Sequence, residues 1–169
     1  MKKTYLLLGV ILFIIILVCI IYPNKKVKTK DNNEEFTIIY TYGGGYGTIT
    51  DTIYKIVTIK SNGDVTFQVE ENKHDIAATL EYKIAPEEAK ELYDYLIDNN
   101  FLKLKEKITD NGVTDYTSSY IEIKSDSVNK KVGGYAASLN KKYAKFENKV
   151  IETIGKDKIK EFDKKVSKA

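Results

Sequence analysis

Residues 49–69 read ITDTIYKIVTIKSNGDVTFQV. Two runs rich in β-branched side chains flank Ser61-Asn62-Gly63-Asp64. Asn-Gly tolerates the positive φ angles of a type I′ turn, whose twist matches that of a hairpin. Beyond the turn, Val65, Phe67 and Val69 alternate with Thr66, Gln68 and Glu70, the pattern of a strand with one apolar face. The stretch therefore predicts a β-hairpin with its first strand over 49–60. Upstream, Phe36 to Tyr42 (FTIIYTY) reads as another strand, broken by Gly43-Gly44-Gly45-Tyr46-Gly47. Downstream, after a polar loop over 71–75, Ile76, Ala78, Leu80, Tyr82 and Ile84 alternate with polar or small residues. Four consecutive strands of this kind predict an antiparallel meander.

Helical signals follow. Pro86 suits the first position of a helix, and Glu87 and Glu88 complement its N-terminal dipole. Ala89, Leu92, Tyr93 and Leu96 share one face, and Asn99-Asn100 ends the helix. Phe101, Leu102 and Leu104 are expected to return to the core. Asp110-Asn111-Gly112 reads as a turn. A strand over 117–124 puts Ile121 and Ile123 on one face and Tyr120 on the other. A second hairpin over 125–129 leads into a strand over 130–132, which Gly133-Gly134 is expected to break. Leu139, Tyr143, Phe146, Val150 and Ile154 are spaced as one helical face, and Gly155 suits the position after the helix end. Ile159, Phe162 and Val166 mark a last short amphipathic helix, with lysines on its other face.

The expected order is β-β-β-β-α-β-β-α-α. That is an α+β domain, with helices on one face of a mainly antiparallel sheet. The segments IKSNGDV, APEEAKELYDYLIDNNF and TDYTSSYIEIK, followed by a terminal helix, resemble an uncharacterised extracytoplasmic domain family of small membrane-anchored or lipoprotein-like bacterial proteins. The resemblance spans about residues 36–155. It implies a fold and a surface location, and it brings no functional residues with it.

Residues 5–22, YLLLGVILFIIILVCIIY, carry no charge. As a helix they span roughly 27 Å, close to a hydrocarbon core of about 30 Å. The expected organisation is a transmembrane anchor over 1–22, a polar stalk over 23–35 and one α+β domain over 36–169. A cleaved signal would need small residues before the cut, and residues 19–24 have none. Lipidation of Cys19 would follow bulky Val18, an unfavourable neighbour, so Cys19 reads as a small apolar residue inside the span, with lipidation as the alternative. Lys2 and Lys3 lie on one side of the span and Lys25, Lys26, Lys28 and Lys30 on the other. A literal lysine count favours the domain inside. The opening Met-Lys-Lys resembles a bacterial export signal and favours the domain outside, which is the reading adopted.

All 27 basic residues are lysine. Residues 1–30 hold six of them and no acid, so the remaining 21 lysines and 24 acids leave that part at −3. A mildly acidic domain without arginine argues against nucleic acid as a partner. The single cysteine, Cys19, leaves the domain with no disulfide, no structural thiolate–zinc site and no cysteine nucleophile.

The glycine loop 43–47 lacks the Lys-Ser/Thr of a phosphate loop and leads into a strand, so no nucleotide is expected. Its alternatives are a plain hairpin connection and a recognition loop in which Tyr40, Tyr42 and Tyr46 contact a ligand. Tyr135, after Gly133-Gly134, is a similar candidate. His74 is the only histidine, too little for a zinc site or a catalytic triad. Asp51, Asp110 and Asp115 are read as turn residues, and no metal, cofactor or catalytic residue is expected. The reading that results is a membrane-tethered extracytoplasmic binding domain for a peptide, a protein or a cell-envelope glycan. The alternatives are a cell-envelope hydrolase using carboxylates and a cytosol-facing membrane protein. Protease added to intact protoplasts is expected to remove the domain; full protection, with digestion only after lysis, would place it inside.

Overall fold

The computed structural model describes residues 34–45, 53–70, 77–110 and 112–169. The apolar run 5–22 with Cys19, the stalk up to residue 33, Tyr46, Asp51, His74 and Asn111 lie outside the described residues. Among the described residues, no helix is long and apolar enough to cross a membrane.

The protein is α+β, with a six-stranded antiparallel sheet. The strands are β1 (Phe36–Gly43), β2 (Tyr54–Lys60), β3 (Asp64–Val69), β4 (Thr79–Lys83), β5 (Ser118–Ser125) and β6 (Asn129–Tyr135). The helices are α1 (Pro86–Asp98) after β4, then α2 (Lys141–Ile154) and α3 (Lys156–Val166) after β6. Two 3₁₀ helices, Phe101–Lys103 and Ala137–Leu139, interrupt the order expected from the sequence. The spatial order is β4-β3-β2-β1-β5-β6, so β1 lies inside the sheet, between β2 and β5.

Alternation along each strand separates two faces. Ile38 of β1 pairs with Ile59 and Ile123, and Tyr40 pairs with Val57 and Ile121. These side chains are buried, together with Phe67 and Val65 of β3 and Val132 of β6. The helices cover this face. Phe36 stacks on Tyr93 of α1 with centroids 4.4 Å apart, and Phe67 meets Phe162 of α3 at 5.1 Å. The Tyr40 hydroxyl donates to Oε1 of Glu147 on α2 at 3.0 Å.

The 60–64 turn differs from the expected type I′. The Gly63 N–H donates to the Lys60 carbonyl at 2.9 Å. Only Gly63 has positive φ there (84°), because Asn62 is held by its own side chain, which accepts from the Asp64 N–H at 3.1 Å. The connection is a turn closed by a glycine bulge, the three-residue form of hairpin loop. In α1 the expected face is buried: Ala89, Leu92, Tyr93 and Leu96. Glu88 accepts from the Ala85 N–H at 3.2 Å, and Asn100 (φ 68°) takes the left-handed position after the helix.

Three expectations are corrected. Leu139 is 44% exposed, because Asn140 caps α2 by accepting from the Lys142 and Tyr143 N–H groups and leaves Leu139 in the preceding 3₁₀ turn. Leu102 points outward, because Phe101 takes the inward position of its 3₁₀ turn. Gly133 and Gly134 do not break β6; they continue it to Tyr135.

Phe146 is buried where α2 meets Phe101 and Tyr95. Phe146→Ala is expected to cost about 3–5 kcal/mol, read as a shifted urea midpoint at unchanged slope. A loss below about 1 kcal/mol would contradict this packing.

Candidate functional site

The uncovered face of the sheet is built by the other half of each strand's alternation. β1 contributes Thr37, Ile39 and Thr41; β2 contributes Tyr54, Ile56 and Thr58; β5 contributes Tyr120 and Glu122; β6 contributes Lys131, Gly133 and Tyr135. In register, Gly43 pairs with Tyr54, and Tyr120 pairs with Gly133. A Cβ on Gly133 would stand 2.6 Å from the Tyr120 Cα and 2.9 Å from its Cδ1. A Cβ on Gly44 would stand 2.7 Å from the Tyr54 Cε1. Both rings therefore lie close against glycine backbone, the cross-strand arrangement that shields glycine in a sheet.

Gly133 has a second task. Its N–H donates to the Glu106 carbonyl at 3.0 Å, and its carbonyl accepts from Ile108 at 2.9 Å. The Tyr135 carbonyl accepts from Asp110 at 3.1 Å. Residues 106–110 thus run parallel to β6 and cover its outer edge. Ile108 packs against the core, while Lys107 and Thr109 flank a cleft on the uncovered face.

This cleft encloses about 470 Å³, and Glu106, Lys107, Ser118, Tyr120, Lys131 and Tyr135 are among its lining. The Lys131 ammonium sits 5.0 Å from the Tyr120 ring centroid, within reach of a cation–π attraction. Partial burial, then the neighbouring Tyr54 phenol, raise the Tyr120 pKa. The Tyr135 hydroxyl donates to the Val113 carbonyl at 3.3 Å and accepts from the Tyr116 N–H at 3.0 Å, which pins the 112–117 loop. Glu106 is paired with Lys130 at 3.2 Å, and Glu122 with Lys124 at 3.1 Å. Among the described residues, Lys107 and Lys131 have no carboxylate partner. At the other end of the sheet a polar hollow of about 370 Å³ lies between Lys60, Asn62, Lys124 and Asp126.

The tyrosines proposed from sequence fall on opposite faces. Tyr135 lines the cleft. Tyr40 is 5% exposed beneath the helices, too buried to offer contact area to a ligand. Tyr42 shares that face; its hydroxyl donates to Asp163 of α3 at 3.2 Å, and Lys55 bonds the same carboxylate at 2.9 Å while lying over the Tyr42 ring. Tyr46 lies outside the described residues. The start of the glycine loop is at the Tyr135 end of the sheet, where a Cβ on Gly45 would come within 2.9 Å of Thr117. Tyr54, Tyr120 and Lys131 were missed as site residues. Strand alternation sets Tyr120 opposite Ile121 and Ile123, and that signal identifies the uncovered face. Among the described residues, no group of three or more His, Cys, Asp or Glu could hold a metal ion.

Under the helices, Tyr143 is fully buried and, among the described residues, no group stands within hydrogen-bond geometry of its hydroxyl. Burial raises the pKa of Tyr40, Tyr42 and Tyr143, and Glu147 or Asp163 adds to the rise. Burial alone pushes Tyr82, which donates to the Ile154 carbonyl, up to about 12.

The chain belongs to the family described as Domain of unknown function (DUF6438), which matches residues 37–154. The match runs from β1 to the last residue of α2 and leaves α3 beyond it. No curated protein matches the chain.

The buried tyrosines predict a steep alkaline limit. Each folded pKa lies above the unfolded value of 10.0, so the neutral phenols contribute stability that is complete below pH 10. That contribution declines as pH rises through about 12, the Tyr82 value, and continues to fall above it. Urea midpoints should drop between pH 10 and about 12, with late tyrosinate absorbance appearing only as the chain unfolds. A flat midpoint across that range would refute the assignment.

Proposed function

We propose that the chain is a membrane-tethered, extracytoplasmic binding domain that holds a cell-envelope component in the cleft on the uncovered sheet face. The tether is the apolar run 5–22, acting as an uncleaved span. The observation that carries the binding reading is the cleft at the Tyr120–Gly133 pair. Helices bury one face of the sheet, whereas the other presents aromatic rings, threonines and two lysines around a hollow of about 470 Å³. Such a pocket, apolar on its floor and set with a few polar groups, is the usual form of a small-ligand site.

Acid–base hydrolysis draws less support. Glycoside cleavage by carboxylates needs two of them about 5–9 Å apart. Among the described residues lining the cleft, Glu106 is the one carboxylate, and it is exposed and paired with Lys130. A binding role without a chemical step needs neither a second acid nor a nucleophile.

The test is capture of the organism's own envelope fraction by the full chain in a non-ionic detergent. Tyr120→Ala is expected to weaken capture by about 1–2 kcal/mol, in keeping with an aromatic anchor. Lys164→Ala, on the exposed side of α3, should leave capture unchanged. Near-ultraviolet circular dichroism verifies that both variants keep their packing. Capture that is indifferent to Tyr120 would exclude this face as the binding surface.

A further inference from the structure

We infer that the cleft takes an acidic glycan, with a sugar ring on the Tyr120–Gly133 floor and its carboxylate or phosphate group on Lys107 and Lys131; this rests on the reading of the uncovered face as the binding surface. The first argument is local charge. Beyond residue 30 the chain carries 21 lysines and 24 acids, a net of −3, so its surface as a whole does not attract anions. The cleft departs from that average. The charge of Glu106 is offset by Lys130 at 3.2 Å, and Glu122, cross-strand from Lys131, is engaged by Lys124 at 3.1 Å. Lys107 and Lys131 are both exposed and, among the described residues, form no ion pair with a carboxylate. Two cations lining one hollow suit an anion set against them.

The second argument is the shape of the floor. Gly133 is buried against the Tyr120 ring, which a side chain there would push aside, and the ring itself is only half-buried. The result is an aromatic platform lying along the sheet, which suits the flat apolar face of a sugar ring. The Tyr135 hydroxyl is already committed to Val113 and Tyr116, so Tyr135 offers its ring to a ligand and keeps its polar end for the loop. The third argument is the type of cation. Lysine acts as a point charge, without the fork that reads guanine or grips phosphate bidentately. A repeating acidic polymer on a sheet surface demands charge and a platform more than it demands fixed donor geometry.

The experiment measures binding of the full chain, in non-ionic detergent, to polygalacturonate, with dextran as the neutral counterpart and oligothymidylate as a non-sugar polyanion. Polygalacturonate should bind, dextran should bind at least about tenfold more weakly, and the double variant K107Q/K131Q should lose about tenfold. Raising salt from about 0.01 M to about 0.15 M should erase most of the difference, because these charges are solvent-exposed. Equal binding of dextran, oligothymidylate binding as tight as polygalacturonate, or K107Q/K131Q binding as tightly as the unaltered chain would each overturn the inference. Envelope capture that falls in Tyr120→Ala but not in K107Q/K131Q would overturn it and leave the binding face standing. Capture indifferent to Tyr120 would remove both.

Discussion

β1 is hydrogen-bonded along both edges, to β2 and to β5, over almost its whole length. This double pairing assigns every side chain of the strand to one face or the other. Phe36, Ile38 and Tyr40 go under the helices; Thr37, Ile39 and Thr41 go to the uncovered side. A slip of one residue against either neighbour would exchange the two sets and expose the core of every strand paired in turn. The apolar burial of Ile38, Val57, Ile59, Phe67, Ile121 and Ile123 all depends on that one register.

The same register brings a polar strip to the inner surface. Tyr40 reaches Glu147 of α2; Tyr42 and Lys55 reach Asp163 of α3. A buried carboxylate or ammonium is costly unless it is hydrogen-bonded, so these bonds restrict where the helices can sit. Apolar packing alone would tolerate some sliding of α2 along the sheet. The Tyr40 hydroxyl and the Glu147 carboxylate, 3.0 Å apart, tolerate little. α3 lies beyond the residues matched by the family, yet Phe162 and Val166 are part of the core, so in this chain α3 completes the cover over β2 and β3.

Where periodicity and turn chemistry agree, the sequence is readable. The hairpin at Gly63, the buried face of α1, and the opposite faces of Tyr120 and Ile121 all follow from local pattern. The errors arise where a tertiary partner decides. Leu139 continues the helical spacing of Tyr143 and Phe146, but the Asn140 side chain starts the helix after it. Gly133-Gly134 resembles a strand end, but it continues β6 because residues 106–110 supply hydrogen bonds to an edge that would otherwise be open. Tyr40 and Tyr42 precede a glycine loop and read as loop anchors. Their places in β1 put them on the inward face, and only cross-strand register reveals which face that is. Tyr54 and Lys131 carried no motif at all. Their role depends on neighbours brought in by β1 and β5 and by the 106–110 segment.

That segment links the core to the cleft. Its parallel ladder with β6 spends both backbone groups of Gly133, and no other residue type fits there beside the Tyr120 ring. Alternation along the segment sends Ile108 toward the core and leaves Lys107 and Thr109 on the uncovered side. The burial of Ile108 therefore fixes the side on which Lys107 stands. A lysine on a free surface loop would sample many positions; here an apolar neighbour, one residue on, holds its backbone against the sheet. The same ladder covers the β6 edge, which would otherwise offer unpaired N–H and C=O groups to another chain. Edge protection and placement of the cleft's cation are thus one structural device, and the glycine pair is what permits both.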